Sequence, residues 1–443
     1  MTPVWRIESP RLIAGLARIV RDVGLAEDLA QDALVAALEQ WPKSGIPDNP
    51  GAWLMATAKH RAIDHFRRNT RLERKHEELG RELDARQMST SEVQMKDLDA
   101  ALDDDVGDDL LRLIFVACHP VLSTEARIAL TLRLLGGLTT EEIARAYLVP
   151  EPTVAQRIVR AKRTLAEARV PFEVPRGAEL AARLSSVLAV IYLIFNEGYS
   201  ATAGDDWLRP ALCEEALRLG RVLAELAPQE PEVHGLVALM EIQASRSRAR
   251  VGPSGEPILL LDQNRAQWDQ LLIGRGLAAL HRSEKLRSEK PRSEKLRSAD
   301  PGSGKAGSTR GSYVLQAEIA ACHARARTPE ETDWARIVEI YDALARLAPS
   351  PVVELNRAVA IAMASGPAAG LALVDKLTSE PSLQNYHLLP SVRGDLLRRL
   401  GRLEEARVEF ERAAALTRNV REREFLIERA RACASGTNLS EPN

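Results

Sequence analysis

Apolar residues return every three or four positions along most of the chain, and two stretches show the pattern most clearly. Leu29, Ala33, Ala37 and Trp41 line one face of a helix from about Ala26 to Trp41. Glu27, Asp28, Gln31 and Asp32 gather on its outward side near the start, where acidic groups also favour the helix dipole. Further on, Val154, Ile158, Ala161 and Leu165 repeat the pattern, with Thr153, Gln156, Arg157, Arg160 and Arg163 sharing the other side. Start and stop signals agree. Ser9-Pro10 opens a first helix that Gly24 ends, and Asn49-Pro50 opens a third that runs to about Arg68. Few runs alternate β-branched residues, so little or no sheet is expected.

A chain of 443 residues exceeds one ordinary core, which predicts two or three domains. Aromatics make up only 4% while Ala, Leu, Arg and Glu dominate, the usage of an all-α protein. The net charge of -2 conceals an uneven distribution: residues 59–75 are strongly basic, 76–109 strongly acidic, and 110–170 basic again. Residues 76–107 hold few large apolar side chains and predict a flexible, self-repelling linker. The "DDDVGDD" within them lacks the alternate acids and closing glutamate of a calcium loop. Four widely separated cysteines offer neither zinc spacing nor a disulfide framework, which predicts a reducing cytoplasm and no metal or other cofactor. No signal-like stretch opens the chain, and no apolar run of about 18 residues offers a membrane span.

From about Pro175 the chain becomes a series of amphipathic helix pairs punctuated by Pro or Gly, which predicts an α-solenoid. In "SVRGDLLRRLGRLEEARVEFERAAAL", Gly394, Leu397, Ala406, Phe410 and Ala413 occupy the small and large packing positions of a tetratricopeptide hairpin. Tyr341, Leu344 and Pro349 match the end of another, and Ala216, Leu223 and Pro228 match a third more loosely. The five-residue repeat between Arg282 and Ser312, rich in Ser, Lys and Arg, predicts a disordered insertion; its "GSGKAGST" lacks the spacing and preceding strand of a phosphate loop. Cys118-His119 and Cys322-His323 adjoin but cannot complete a tetrahedral site, and Glu197 in "FNEGY" has no nucleophile or second carboxylate at recognisable spacing. No enzyme is expected. Trp41, Trp53, Trp207, Trp268 and Trp334 sit among leucines and alanines and read as core anchors.

Candidate chemistry lies elsewhere. In "LTTEEIARAYLVPEPTVAQRIVRAKRTL", Thr139 and Glu142 form a capping box, and Ile143, Ala144, Tyr147 and Leu148 give the first helix an apolar face. Pro152 suits the start of the second. An Arg/Gln face on that second helix offers bidentate donors to base edges in a major groove. In "NPGAWLMATAKHRAIDHFRRNTR", Trp53, Leu54, Thr57 and Ala58 lie toward the packed end while Lys59, Arg61, Arg67, Arg68 and Arg71 crowd the other. Such a helix can follow a phosphate backbone and hold an unstacked base.

Together these segments resemble regions two and four of the extracytoplasmic-function (ECF) group of sigma-70 family RNA polymerase sigma factors. "AEDLAQDALVAALEQW" resembles the segment that grips the polymerase clamp helices, which implies Glu27, Asp28, Gln31 and Asp32 as core polymerase-binding residues. "WLMATAKHRAIDHFRR" resembles the segment that opens and reads the −10 element, which implies Lys59, His60, Arg61, Asp64, Arg67 and Arg68. "VPEPTVAQRIVRAKRTL" resembles the −35 recognition helix, which implies Thr153, Gln156, Arg157, Arg160 and Arg163. His60 stands where the family often has Asn, and Pro152 where many members have Gly.

The remainder resembles the subgroup with a long C-terminal tetratricopeptide-like extension, on "VIYLIFNEGYSA", "DQNRAQWDQLLI", "SPVVELNRAVAIAM" and "YHLLP". The implied order is region two in residues 1–75, an acidic linker in 76–107, region four in 108–170 and the extension in 175–443, with the insertion at 282–312. Core RNA polymerase and promoter DNA are the implied partners, with a protein or peptide partner for a regulatory extension and no membrane. The competing reading is a helix-turn-helix regulator with a ligand- or peptide-sensing extension that never binds polymerase.

Overall fold

The computed structural model describes residues 2–79, 106–147, 149–176, 178–253, 255–289 and 310–435. The chain splits into two compact units, Met1–Ile191 and Tyr192–Asn443. Among the described residues both are helical, apart from one two-residue parallel pair and an isolated antiparallel bridge between Val251 and Pro257, both in the second unit.

The first unit opens with α1 (Thr2–Val20), α2 (Val23–Ser44) and α3 (Pro50–Leu79). Both ends of α1 differ from those read in the sequence, and α2 and α3 run longer than expected. Pro3 takes the permitted first-turn position, so α1 starts early and Pro10 lies buried in its interior. The helix stops before Gly24, because Arg21 adopts a left-handed φ of 53° and the Asp22 carboxylate caps α2, accepting from the Leu25 amide at 2.8 Å. The start of α3 is as expected, with Asn49 Oδ1 accepting from the Ala52 amide at 3.0 Å. It continues to Leu79, so residues 76–79 of the predicted linker are helical; residues 80–105 lie outside the described residues.

There follow α4 (Val106–Ala117), α5 (Thr124–Leu134), α6 (Thr140–Tyr147), α7 (Glu151–Glu167) and α8 (Ala178–Tyr199); the last turns of α8, from Tyr192, belong to the second unit. The capping box forms: the Thr139 amide donates to Glu142 Oε2 at 2.8 Å and the Glu142 amide to Thr139 Oγ1 at 3.1 Å. Leu148 is outside the described residues. Residues 179–199 of α8 are long and apolar enough to cross a membrane by length and composition, which corrects the expectation that no such run exists. Its polar groups mark a core helix: Arg183 Nη2 donates to the Phe115 carbonyl at 2.8 Å and Ser186 Oγ to that of Cys118 at 2.8 Å.

The second unit comprises α9 (Pro210–Leu226), α10 (Pro231–Ala244), α11 (Gln270–Glu289), α12 (Ser312–Arg325), α13 (Trp334–Leu347), α14 (Pro351–Ser365), α15 (Pro367–Leu377), α16 (Leu388–Arg399), α17 (Leu403–Leu416) and α18 (Val420–Ser435). Most pack chiefly on their neighbours in sequence, as in a solenoid, while α12 packs chiefly on α10, one helix further back. Gly394 is required where α16 meets α17, since a Cβ there would lie 2.9 Å from the Phe410 ring. The short strands β1 (Ala203–Gly204) and β2 (Arg418–Asn419) pair across fully buried Asn419, whose Nδ2 donates to the Asp206 carbonyl at 2.8 Å.

The first residues of the predicted insertion, 282–289, are helical. Ile273, Gly276, Leu280 and Ser283 form one buried stripe, so helical packing carries α11 through residues 282–289. The next helix opens at Ser312, and residues 290–309 lie outside the described residues. Of the five tryptophans expected to anchor cores, Trp41 and Trp268 are buried, while Trp53, Trp207 and Trp334 are half-buried.

Candidate nucleic-acid interface

On α7 the buried stripe is Val154, Ile158, Ala161 and Leu165, so its opposite face is left to solvent. Gln156, Arg160 and Arg163 are exposed and Thr153 and Arg157 half-exposed, with Arg163 Nε 2.6 Å from Glu167 Oε1. Val159, three residues from Gln156, is 64% exposed among them. It is absent from the residues the resemblance implies, and its only signal in the sequence is a position out of phase with the buried stripe. An apolar side chain there can meet a thymine methyl group beside Gln and Arg donors.

The predicted −10 residues divide by helical period. His60, Asp64 and Arg67 share one exposed face of α3, whereas Lys59 and Arg61 fall on its flanks and are half-buried. Arg61 Nη1 lies 3.3 Å from Asp32 Oδ2, so a residue predicted for DNA pairs with one predicted for polymerase. Arg68 is within α3, and its side chain lies outside the described residues.

On α2, Asp28 and Asp32 are exposed, and Val35 and Leu38, each 50% exposed, continue that face by steps of three and four. These two apolar residues were also missed, although they sit out of phase with Leu29, Ala33 and Ala37. Gln31 is half-buried and donates Nε2 to Glu27 Oε1 at 2.7 Å.

Glu27 is not on the outward side. It is 3% exposed, and its carboxylate accepts from Arg133 Nε of α5 at 2.6 Å and pairs with Lys162 Nζ of α7 at 2.7 Å. The apolar stripe read from spacing accounts for α1 and α3 against α2, but α7 covers a second side at the helix start, where Glu27 lies. Burial opposes its charge, yet Lys162 and Arg133 outweigh that and hold the carboxyl below its usual value of 4.5. Asp28 Oδ1 stands 3.8 Å from the same Lys162. A second tie joins α1 to α4, with Arg18 Nε 3.1 Å from the buried Asp109. Among the described residues no group of three or more His, Cys, Asp or Glu gathers to hold a metal, and burial pushes the Cys118 thiol up to about 11.

The sigma-70 region 2 family model matches residues 5–72, and the sigma-70 region 4 model matches residues 112–165. A probable ECF RNA polymerase sigma factor SigI of Mycobacterium tuberculosis, found in two strains, is 28% identical over 171 residues, covering 38% of this chain and 56% of that protein. The chain belongs to the ECF group of sigma-70 factors. Region two of this sigma factor holds α1–α3, and the region-four match ends within α7. An uncharacterized protein of Rhizobium meliloti is 42% identical over 418 residues, 94% of this chain and 92% of its own length. Residues 183–284 match a family of unknown function, so the sigma factor carries a helical extension beyond its two sigma regions. No solved structure matches the chain.

Proposed function

We propose that this sigma factor binds core RNA polymerase through the outward face of α2 and directs it to promoters read by α7 at −35 and by α3 at −10. The helical extension governs its activity, and it works in the cytoplasm, where polymerase and promoter meet. The domain limits are those of the sequence: region two to residue 75, a linker to 107, region four to 170 and the extension from 175. One observation carries the reading. The face of α7 bearing Gln156, Val159, Arg160 and Arg163 is open to solvent while its opposite side is wholly occupied by the core. The exposed His60, Asp64 and Arg67 of α3 and the acidic and apolar face of α2 supply the other two contacts the role requires.

Purified full-length chain, mixed with core polymerase, should co-elute with it and support transcription from a genomic promoter set. Exchange of both Asp28 and Asp32 for Ala should weaken polymerase binding, measured by pull-down or fluorescence anisotropy. Unchanged binding would remove α2 from the contact. If the chain bound duplex DNA yet never core enzyme, it would be a helix-turn-helix regulator instead.

Promoter reading has its own test. Arg157→Ala or Arg160→Ala should relax discrimination at one −35 base pair by ~1–3 kcal/mol, seen as a flattened preference in a panel of single-base promoter variants. Equal weakening on every variant would assign those side chains to phosphate.

A further inference from the structure

Most well-packed arginines of the second unit have acid partners. Arg209 pairs with Glu197, Arg221 with Glu241, Arg357 with Asp342, Arg393 with Glu409 and Arg429 with Asp395. Around the Trp268 indole the pattern breaks. Arg246, Arg250 and Arg265 gather there and at the adjoining Tyr199 ring, and none of the three forms an ion pair among the described residues.

Two of the three are committed to the fold. Arg265, with its Cζ 4.9 Å from the Trp268 ring centre, donates Nη1 to the carbonyls of His323 and Ala326 at 2.7 Å each and Nη2 to Thr332 Oγ1 at 3.1 Å. Glu330 and Glu331 act on it from beyond pairing distance. Arg250, 8% exposed, lies 3.5 Å from the Tyr199 ring centre and donates to the Tyr199 carbonyl.

Arg246 is different. Its Cζ is 5.8 Å from the ring centre of Tyr199 and 5.8 Å from that of Trp268, so two aromatic faces hold it. Its guanidinium has no hydrogen-bond partner among the described residues, and its Nε is buried without one. The Nε1 of Trp268, a residue only 4% exposed, is likewise an unsatisfied donor, as is Nδ1 of buried His323 when that nitrogen carries the proton. Burial and then the charges of Arg246 and Arg265 push His323 down to about 4, so the imidazole adds no charge of its own at neutral pH. Beside this cluster Trp268 also forms one wall of a cavity of about 280 Å³ lined by Arg248, Ala266, Gln267 and Asp269, and not by Arg246 or Tyr199. The carboxylate in that wall is already engaged, since Asp269 Oδ1 accepts from the amides of Leu271 and Leu272.

Buried donors left without acceptors, in a field of uncompensated positive charge, call for an acceptor-only group. We propose that the extension carries a binding site for a small oxyanion, a carboxylate- or phosphate-bearing molecule, received by the guanidinium of Arg246 between Tyr199 and Trp268. The aromatic clamp fixes the fork before the ligand arrives, which lowers the entropy cost of a bidentate contact. This inference stands on the extension alone, whatever its part in transcription.

The experiment uses the full chain in calorimetric and thermal-shift titrations with inorganic phosphate and, separately, succinate, each against sodium chloride of equal ionic strength. Saturable binding of at least one probe is expected, with Arg246→Met at least tenfold weaker and the exposed Arg275→Met unchanged. Response to phosphate alone identifies a phosphate ligand, and response to succinate alone a carboxylate. Arg246→Lys, which keeps the charge but loses the planar fork, should bind more weakly than wild type with the same unfolding temperature, and it serves if Arg246→Met does not fold. No saturable signal above sodium chloride for either probe, or equal binding by the Arg246 variants, overturns the proposal.

Discussion

Glu27→Ala will destabilise the N-terminal unit by ~3 kcal/mol, the result expected from denaturant unfolding of the full chain followed by a probe in that unit. Breaking a buried pair by removing one member leaves its partners uncompensated, and here two cations lose their shared acid at once. Arg133 and Lys162 are 23% and 19% exposed, so water recovers part of the loss and the effect falls at the lower end of the usual ~3–5 kcal/mol. Replacing Lys162 by Met on the Glu27→Ala background should restore part of the stability, because the stranded charge is then gone. Wild-type unfolding by Glu27→Ala alone would reduce the tie to an ordinary surface contact.

The same carboxylate sets a pH dependence. Its folded value is depressed below 4.5, so the charged form is favoured in the folded unit. The associated stability is fully present above the unfolded value, near 4.5, and is lost as pH falls through the lower folded value. Stability measured from neutral pH down into this acid window should therefore fall less steeply in Glu27→Ala than in wild type.

The second large effect is expected at the far end of the extension. Phe410→Ala should cost ~3–5 kcal/mol in unfolding of the C-terminal unit. The ring is fully buried, Gly394 offers no side chain to refill the space, and the Arg429 guanidinium lies 4.4 Å over the ring while tied to Asp395. Each element of a solenoid leans chiefly on its neighbours, so hydrogen exchange should accelerate first in α16–α18 and leave α10 and α12 near wild type. A loss below about 1 kcal/mol would mean that the hairpin collapses onto the void.

Local spacing made much of this protein legible. The buried stripe of α7, the Thr139–Glu142 box, the Asn49 cap and the Gly394–Phe410 contact all arise between residues one helical turn or one hairpin apart, where helical period and side-chain size decide the outcome. The order of the segments resembling regions two and four was equally local and led to the family. Beyond that range the pattern was silent. Glu27 looked solvent-facing because the stripe of α2 accounts for only one covered side, and the cations that bury it lie 106 residues away on α5 and further still on α7. Arg61 and Asp32 were assigned to different partners and pair with each other. The arginines around Trp268 come from two three-residue 3-10 turns and their caps, too short for a spacing pattern to show in the sequence. Periodicity within an element is dictated by backbone geometry, so the sequence alone determined which residues form each helix face; which charges find partners depends on distant elements meeting in space, and only the tertiary packing decided that.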